Sequence, residues 1–224
     1  MNIKTDRIAG GDAIAALESR REVYPTTGSY PFLIGEAREL ERLQEAAEYN
    51  EQSFEDIVRG SLSVDLAKWI SGRRREAGSY GFSPLDIAGT WPGEDIEKGA
   101  ISLHRKTVSG AVMPKVTLGS ASIAEPWQLP AVVGYGGWND CPMPEVHCAF
   151  HRHWQTEFGA EIAGMSGDVI ECVVSNPPSD QAAAMELAWQ QYWYCTDIVE
   201  QGCETISNLA ATLINSPYWF FWWD

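Results

Sequence analysis

The chain has 224 residues, 45% of them apolar, and a formal net charge of −15. This length and composition provide for a hydrophobic core and exclude a disordered chain. Residues 1–110 contain 14 Lys and Arg against 18 Asp and Glu, a net −4, whereas residues 111–224 contain 2 against 13, a net −11. Because so acidic a surface repels phosphate backbones, we expect no direct nucleic-acid binding and a basic protein as partner. Acidity that only keeps the chain soluble is the simpler alternative.

The cysteines and the N-terminus indicate the compartment. The five cysteines are odd in number and contain no Cys-x-x-Cys pair, which is typical of reduced thiols in a cytoplasmic protein. No apolar run follows the charged N-terminal residues, and nowhere do about 18 apolar residues occur together. We therefore expect a bacterial-type cytoplasmic protein with no secretion signal and no membrane span.

Residues 1–77 are predicted to be rich in helix and to contain one short strand. Helix formers extend from Asp12 to Val23, and the apolar run from Tyr30 to Ile34 is a strand candidate. From residue 36 to residue 77, apolar side chains recur at helical spacing. The cations Arg73 to Arg75 suit the C-terminal end of this segment, because the helix dipole is negative there.

Residues 78–100 are rich in Gly, Ser and Pro and predict a long loop or a domain boundary. Beyond them, Ile101 to Val108 and Lys115 to Leu118 alternate well enough to predict two strands. The apolar run from Ala131 to Val133 predicts another strand, which leads into the turn-rich segment 134–142.

Residues 101–224 as a whole are predicted to form an α+β domain. A helix begins at Pro144 and ends before Gly159, and its buried stripe consists of Val146, Ala149, Phe150, His153 and Trp154. The elements that follow are a hairpin made by Ala160–Ala163 and Asp168–Val174, a long helix capped by Ser179, a helix from Ile206 to Leu213, and a strand from Tyr218 that is covered on both faces. The sum is an antiparallel or mixed sheet packed by helices, with a helix-rich N-terminal part.

Four motifs occur in a characteristic order towards the end of the chain: Gly134–Pro142 (Gly-Tyr-Gly-Gly-Trp-Asn-Asp-Cys-Pro), Phe158–Glu161, Tyr194–Val199 and Trp219–Asp224. In this order and spacing they resemble the bacterial family of domain of unknown function 4253. The resemblance covers roughly residues 128–224. It implies a shared fold, but it carries no established activity and no catalytic residue to this chain. We accordingly expect no cofactor.

Two constellations on the predicted helix could carry chemistry. His147 and His151 lie four residues apart, a spacing that can place two imidazoles on one metal ion. The pattern lacks the Glu of His-Glu-x-x-His and fixes no third ligand, so surface or satisfied histidines are favoured. Cys141, beside Asp140 and near His147, is a candidate nucleophile with its orienter and base. A buried structural cysteine is favoured instead, because such groups usually come from distant segments.

Glycines and acids around the same segment allow two further hypotheses. Gly134, Gly136 and Gly137 could form a phosphate loop, but dinucleotide spacing and a P-loop lysine are absent, so a tight turn with positive φ is favoured. Asp140, Asp197 and Asp224 each end an apolar or aromatic run and could gather at one end of the sheet as acid/base carboxylates. The favoured alternative is that Asp140 caps the following helix and Asp224 stays solvated.

Two classes of function remain open. The favoured one is a non-enzymatic acidic module that binds a basic protein, such as an immunity or inhibitor protein against a toxin or nuclease, with ten tryptophans available as anchors. The alternative is a small-molecule-binding protein or hydrolase-like enzyme with an aromatic pocket. Its catalytic candidates are Asp140, Cys141 and Asp197. The candidate binding residues are Tyr135, Trp138, Asp140, Trp193, Asp197 and Trp222.

Overall fold

A computed structural model describes residues 2–93 and 96–224. Within these ranges the strands are β1 (Ile3–Ala9), β2 (Ser29–Gly35), β3 (Lys115–Ser122), β4 (Ala160–Met165), β5 (Val169–Val174) and β6 (Tyr218–Trp222). The α-helices there are α1 (Ala13–Thr27), α2 (Ala37–Tyr49), α3 (Phe54–Ser61), α4 (Leu66–Ser79), α5 (Pro84–Ala88), α6 (Leu129–Val133), α7 (Pro144–Phe158), α8 (Gln181–Tyr194) and α9 (Ile206–Leu213). Two short 3-10 helices (Gly10–Asp12 and Pro126–Gln128) and a π-helical segment (Ile198–Cys203) complete the description.

The strands form one mixed sheet in the order β1-β3-β2-β4-β5-β6. Strands β2 and β4 are parallel, whereas every other neighbouring pair is antiparallel. This confirms the predicted α+β class with a mixed sheet and helices, including a helix-rich N-terminal part. Strand β1 was not predicted, because most of its side chains are polar and exposed, as is common at a sheet edge. None of the helices among the described residues has the length and apolarity required to cross a membrane.

The two faces of the sheet are covered differently. The first face packs against α2 and α6–α9 and holds the largest hydrophobic cluster, which includes Phe32, Phe150, Trp154 and Phe221. The second face packs against α1 and residues 101–113, which we call the strap. This smaller cluster includes Leu17, Leu33, Ile101, Met113 and Leu118. The strap and α1 therefore close the second face mainly over β3, β2 and β4.

Two predicted strands are wrong. Residues 131–133 belong to α6, which begins at Leu129 and ends at the left-handed Gly134. A short apolar run does not distinguish a strand from a buried helical turn, which explains the error. Residues 101–108 form turns with one isolated bridge, Arg105 to Val112, and not a strand. The buried carboxylate of Glu171 holds this part of the strap, because it accepts hydrogen bonds from the Ser102 backbone and hydroxyl.

Several boundaries also differ from prediction. Helix α1 continues through Pro25 to Thr27, and the predicted loop 78–100 contains α5. The side chain that caps α8 is that of Asp180, which accepts from the Ala183 amide at 3.0 Å, and not that of Ser179. The β4–β5 hairpin and α9 occur where the sequence predicted them. The division of the chain into regions 1–77, 78–100 and 101–224 stays a prediction, and one sheet contains strands from the first and the last.

Helix α7 and strand β6 bury different residues from those predicted. On α7, His147 and His151 are fully buried and His153 is only partly buried, so the buried stripe is wider than predicted and excludes His153. Strand β6 lies at the edge of the sheet and was wrongly predicted to be covered on both faces. Its residues alternate: Trp219 and Phe221 are buried, whereas Phe220 is 45% exposed. The side of β6 that carries Phe220 is therefore open.

Candidate functional site

Residues 134–143, which we call the glycine loop, connect α6 to α7. Gly136 has a φ of 106°, and a Cβ atom there would lie 1.9 Å from the Pro142 carbonyl oxygen. Any larger residue would therefore clash with the loop itself. The Gly137 amide donates to the carbonyls of Cys141 and Pro142, so it is not available to a phosphate. The loop has the positive-φ turn that the favoured interpretation required.

Asp140 joins the glycine loop to α4. Its carboxylate forms an ion pair with Arg73 at 2.8 Å and lies 3.5 Å from the Thr196 hydroxyl. The N-cap position of α7 is Met143, which has no side-chain capping bond. The hypothesis that Asp140 caps the following helix is therefore wrong, because the carboxylate points to the arginine instead.

The three candidate acids are brought to one end of β6. Asp197 accepts a hydrogen bond from the Asp224 amide at 3.0 Å, and Asn139 donates to the Asp224 carbonyl at 2.6 Å. Asp140 reaches the same region through Thr196, the neighbour of Asp197. These contacts fix the chain after β6 against the glycine loop, and they use Asp197 as a hydrogen-bond acceptor for the backbone.

A chain of five polar side chains lies inside the first face. Cys141 Sγ is 3.3 Å from His147 Nε2, and His147 Nδ1 is 2.5 Å from the Tyr194 hydroxyl. The same hydroxyl is 3.0 Å from His151 Nε2, and His151 Nδ1 is 3.9 Å from Cys172 Sγ. The Cys141–His147 proximity was predicted from the sequence, but the role of Tyr194 in joining the two histidines was not. The spacing of Tyr194 from α7 gives no signal in the sequence.

Burial determines the protonation states of these five linked side chains. Removal from water raises the pKa of the Cys141 thiol, with the nearby Cys195 adding to the effect, so the thiol stays protonated. Burial likewise lowers the pKa of His147 well below its ordinary value and that of His151 to about 3, so both imidazoles are neutral. A protonated thiol beside neutral imidazoles in the core is not an activated nucleophile. The arrangement supports the structural interpretation of Cys141.

The same geometry bears on metal binding. His147 and His151 both direct a ring nitrogen at the Tyr194 hydroxyl, which occupies the space between them. Among the residues described, no three His, Cys, Asp or Glu side chains are grouped as metal ligands would be. The i, i+4 spacing of the histidines thus serves to place two imidazoles on one hydroxyl.

The aromatic candidates are divided between the core and the surface. Tyr135 is fully buried and contacts the partly buried Trp138 edge to face, with ring centroids 5.0 Å apart. Trp193 is 4% exposed and packs against Phe82. Trp222 is the candidate aromatic that lies on the open side of β6, and it lines the groove described below.

A groove of about 1230 Å³ runs along β6, and we call it the β6 groove. The open side of β6 contributes Tyr218, Phe220 and Trp222 to its lining. One flank is formed by Asp197, the π-helical segment that follows it and α9, including Ile198 and Leu213. The other flank is formed by the strap, including Leu103, Arg105 and Lys106. Of the predicted binding residues, Asp197 and Trp222 therefore line this groove.

Two buried side chains in the groove lining have unpaired donors. Gln191 is 1% exposed and Trp219 is 3% exposed, and both line the β6 groove. Gln191 Nε2 and Trp219 Nε1 have no hydrogen-bond partner within the described chain. Both atoms are buried from solvent, so they are unpaired polar groups within the wall of the groove and are not exposed in it. Neither residue was predicted from the sequence, since a glutamine and a tryptophan among apolar residues have no distinctive spacing.

Comparison with known proteins places the C-terminal part of the chain in a family. Residues 117–224 match the family described as "Domain of unknown function (DUF4253)". The chain carries a DUF4253 domain. The match confirms the resemblance inferred from the four motifs, and it begins within β3, earlier than the sequence motifs indicated. No curated protein and no solved structure matches the chain. The glycine loop, the buried polar chain and β6 all lie within the DUF4253 domain.

Proposed function

We propose that the protein is a non-enzymatic binding module for a basic protein partner, which it contacts at the β6 groove. The observation that carries the proposal is the groove itself, which is lined by an edge strand that exposes Phe220 and partly exposes Tyr218 and Trp222, with Asp197 on one flank. Exposed aromatic side chains are common anchors of protein interfaces. Phe220 at 45% exposure is a large apolar group that the fold leaves uncovered.

Charge supports a basic partner. Four acids, which we call the acidic end, lie on or beside the π-helical segment: Asp197, which lines the groove, and Glu200, Glu204 and Asp224, which follow it along the chain or contact it. None of the ion pairs found within the described ranges involves these four residues. A partner with Lys or Arg side chains would complement this charge and would be attracted to it at long range.

The residues that suggested catalysis have structural partners. Cys141 is buried and protonated, Asp140 is paired with Arg73, and Asp197 holds the Asp224 amide. These contacts favour binding over the alternative of a small-molecule or hydrolase-like site that uses Asp140 and Asp197. An immunity or inhibitor role against a basic toxin or nuclease, in a bacterial cytoplasm, is the specific form of the proposal.

A displayed library of random peptides of about twelve residues, selected against the immobilised protein, tests the proposal. We expect the selected peptides to be rich in Lys and Arg, and their affinity to fall at least about tenfold when salt rises from about 50 mM to about 500 mM. Failure to enrich any peptide, or enrichment of acidic peptides, would contradict the proposal.

A matched pair of charge variants locates the site. Glu200→Gln with Glu204→Gln removes two charges at the acidic end, whereas Glu18→Gln with Glu22→Gln removes two exposed charges on α1. The first double variant should weaken binding of the selected peptides several-fold, and the second should leave it unchanged. Equal losses in both would show that net charge alone, and not this groove, determines the affinity.

A further inference from the structure

The outer edge of β6 has backbone groups that no other part of the sheet uses. The Val174 amide donates to the Pro217 carbonyl at 2.8 Å, and the Trp223 amide donates to the Asp168 carbonyl at 3.1 Å. In this antiparallel register, Trp219 and Phe221 direct their backbone groups towards β5. The alternate residues Tyr218, Phe220 and Trp222 must therefore direct theirs outward, away from the sheet.

The ends of this edge are satisfied but its centre is not. The Ser216 hydroxyl donates to the Tyr218 carbonyl at 2.9 Å, and the Cys195 thiol donates to the Trp222 carbonyl at 2.9 Å. No hydrogen bond found among the described residues reaches the amide or the carbonyl of Phe220, or the amide of Trp222. Three backbone groups in a row are thus free to pair with another strand.

We propose that β6 accepts an extended segment of the partner as an additional strand of the sheet. This inference rests on the proposed function and specifies how the partner is held. An incoming strand would receive hydrogen bonds from the amides of Phe220 and Trp222 and would donate one to the Phe220 carbonyl. Main-chain pairing supplies affinity in this mode, and pockets for alternate side chains supply specificity.

The groove along β6 offers access for main-chain pairing and space for the side chains of a bound segment. Phe220, at the centre of the outer edge, lines the groove and is 45% exposed, so the main chain of a bound segment can approach the free backbone groups of β6. Side chains of the same segment that point to the second face would lie beside Tyr218, Phe220 and Trp222, since alternate residues of neighbouring strands share a face.

The negative charge of the protein distinguishes between two possible partners for the edge of β6, a second copy of this chain and a basic segment of another protein. A second copy of this chain could in principle pair edge to edge through β6, but each copy has a net charge of −15 and presents the same acidic end. Two such surfaces repel each other. An extended segment with Lys or Arg near the Trp222 end of β6 is attracted instead, because Asp197 and Asp224 lie there. The occupant is therefore an extended basic segment of a different protein.

Backbone methylation of the bound peptide tests the pairing directly. A peptide selected from the displayed library is synthesised twice, once unmodified and once with N-methyl groups on alternate amides in each of the two possible registers. If the segment pairs with β6, one methylated register should bind at least about tenfold more weakly, because a methyl group removes the donor and blocks close approach. Equal affinity of all three peptides would overturn the pairing while the salt-dependent binding, and hence the proposed function, still stood.

A substitution pair on β6 provides the complementary test. Phe220→Pro removes an outward amide that β5 does not use, so the sheet is retained, whereas Phe220→Ala keeps the amide and removes the ring. The proline variant should bind the unmodified peptide at least about tenfold more weakly than the alanine variant. Circular dichroism checks that both variants fold, and the methylated peptides on the unchanged protein decide the matter if the proline variant does not.

Two other outcomes would overturn the inference. Sedimentation that shows a dimer of the unchanged protein, which Phe220→Pro dissociates, would assign the edge to a second copy. Failure of the library to yield any binding peptide would overturn both the pairing and the proposed function.

Discussion

The two sides of β6 differ in what they contact, and the difference separates the side that stabilises the fold from the side that we propose for binding. Trp219, Phe221 and the neighbouring Trp223 point into the first face, where Trp154 stacks on Phe221 with ring centroids 5.2 Å apart. Tyr218, Phe220 and Trp222 point to the second face, where Tyr218 packs against the smaller cluster and Phe220 stays 45% exposed beside the groove. One aromatic strand therefore supplies both a core and a surface.

The side chains that could in principle be catalytic lie on the first face, which we call the closed side because helices cover it. Cys141, His147, His151, Tyr194 and Cys172 form one buried hydrogen-bonded chain beneath the helices. Such a network fixes a unique packing when its members are all paired. The open side of β6 has no such network of polar side chains among the described residues, but the outer edge of the strand retains unpaired backbone groups. The catalytic candidate Cys141 is thus packed in the core, whereas Phe220, which the sequence predicted to be buried, is exposed.

The largest expected effect is the loss of a closed-side aromatic residue. Trp154→Ala removes a fully buried indole and should lower the free energy of unfolding by about 3–5 kcal/mol. Phe220→Ala, on the open side of the same region, should cost about 1 kcal/mol or less, because the ring is 45% exposed. Urea unfolding of both variants measures the contrast. Similar losses would mean that the two sides do not differ as described.

The second largest effect should be a loss of folding stability in acid, because two buried histidines lie on the closed side. The ordinary histidine pKa is 6.5, and burial lowers it for His147 and His151 in the folded state. The unfolded chain therefore binds more protons below about pH 6.5, and stability is lost as pH falls, by up to about 1.4 kcal/mol per pH unit for each histidine. For His151 the loss continues towards pH 3.

Urea midpoints measured between about pH 7.5 and about pH 5 check this dependence. The control is His151→Gln, which should show a shallower loss over the same interval because it removes one of the two titrating groups. Stability that stayed level or rose on acidification would contradict the neutral, buried assignment of the histidines.

The ion pair between α4 and the glycine loop should have the smallest effect. The side chains of Arg73 and Asp140 are 24% and 55% exposed, so water and salt weaken their attraction. A double-mutant cycle with Arg73→Gln and Asp140→Asn should give a coupling of about 0.2–1 kcal/mol that decreases with added salt. A coupling several times larger would show that this contact belongs to the stabilising core and not to its periphery.

The sequence predicted elements well where periodicity was long, and poorly where contacts decided the outcome. The helix from Pro144 and the β4–β5 hairpin were recognisable, because each has a clear period and clear ends. The run from Ala131 to Val133 is too short to identify a helix, and its state depends on Pro130 at the helix start and Gly134 at its end. Local pattern alone could not distinguish these possibilities.

The candidate site shows the same limit. The nearness of Cys141 to His147 followed from the sequence, but burial, which decides their protonation, depends on packing by Tyr194 and Trp223 from distant segments. Aromatic residues throughout β6 predicted burial on both faces. Phe220 is exposed because α1 and the strap pack mainly over β2, β3 and β4 and leave the second face of the outermost strand partly uncovered. The order of the strands depends on the whole fold, so the edge position of β6 could not be predicted from the sequence of any one segment.

Hydrogen exchange of individual backbone amides, with and without a selected basic peptide, tests the central claim most directly. The outward amides of Phe220 and Trp222 should exchange more slowly when the peptide is bound. The amides of Trp219 and Phe221 should change little, because they already pair with β5. Protection confined to the glycine loop, or no change at Phe220 and Trp222 under saturating peptide, would contradict the claim that the open edge of β6 is the binding site.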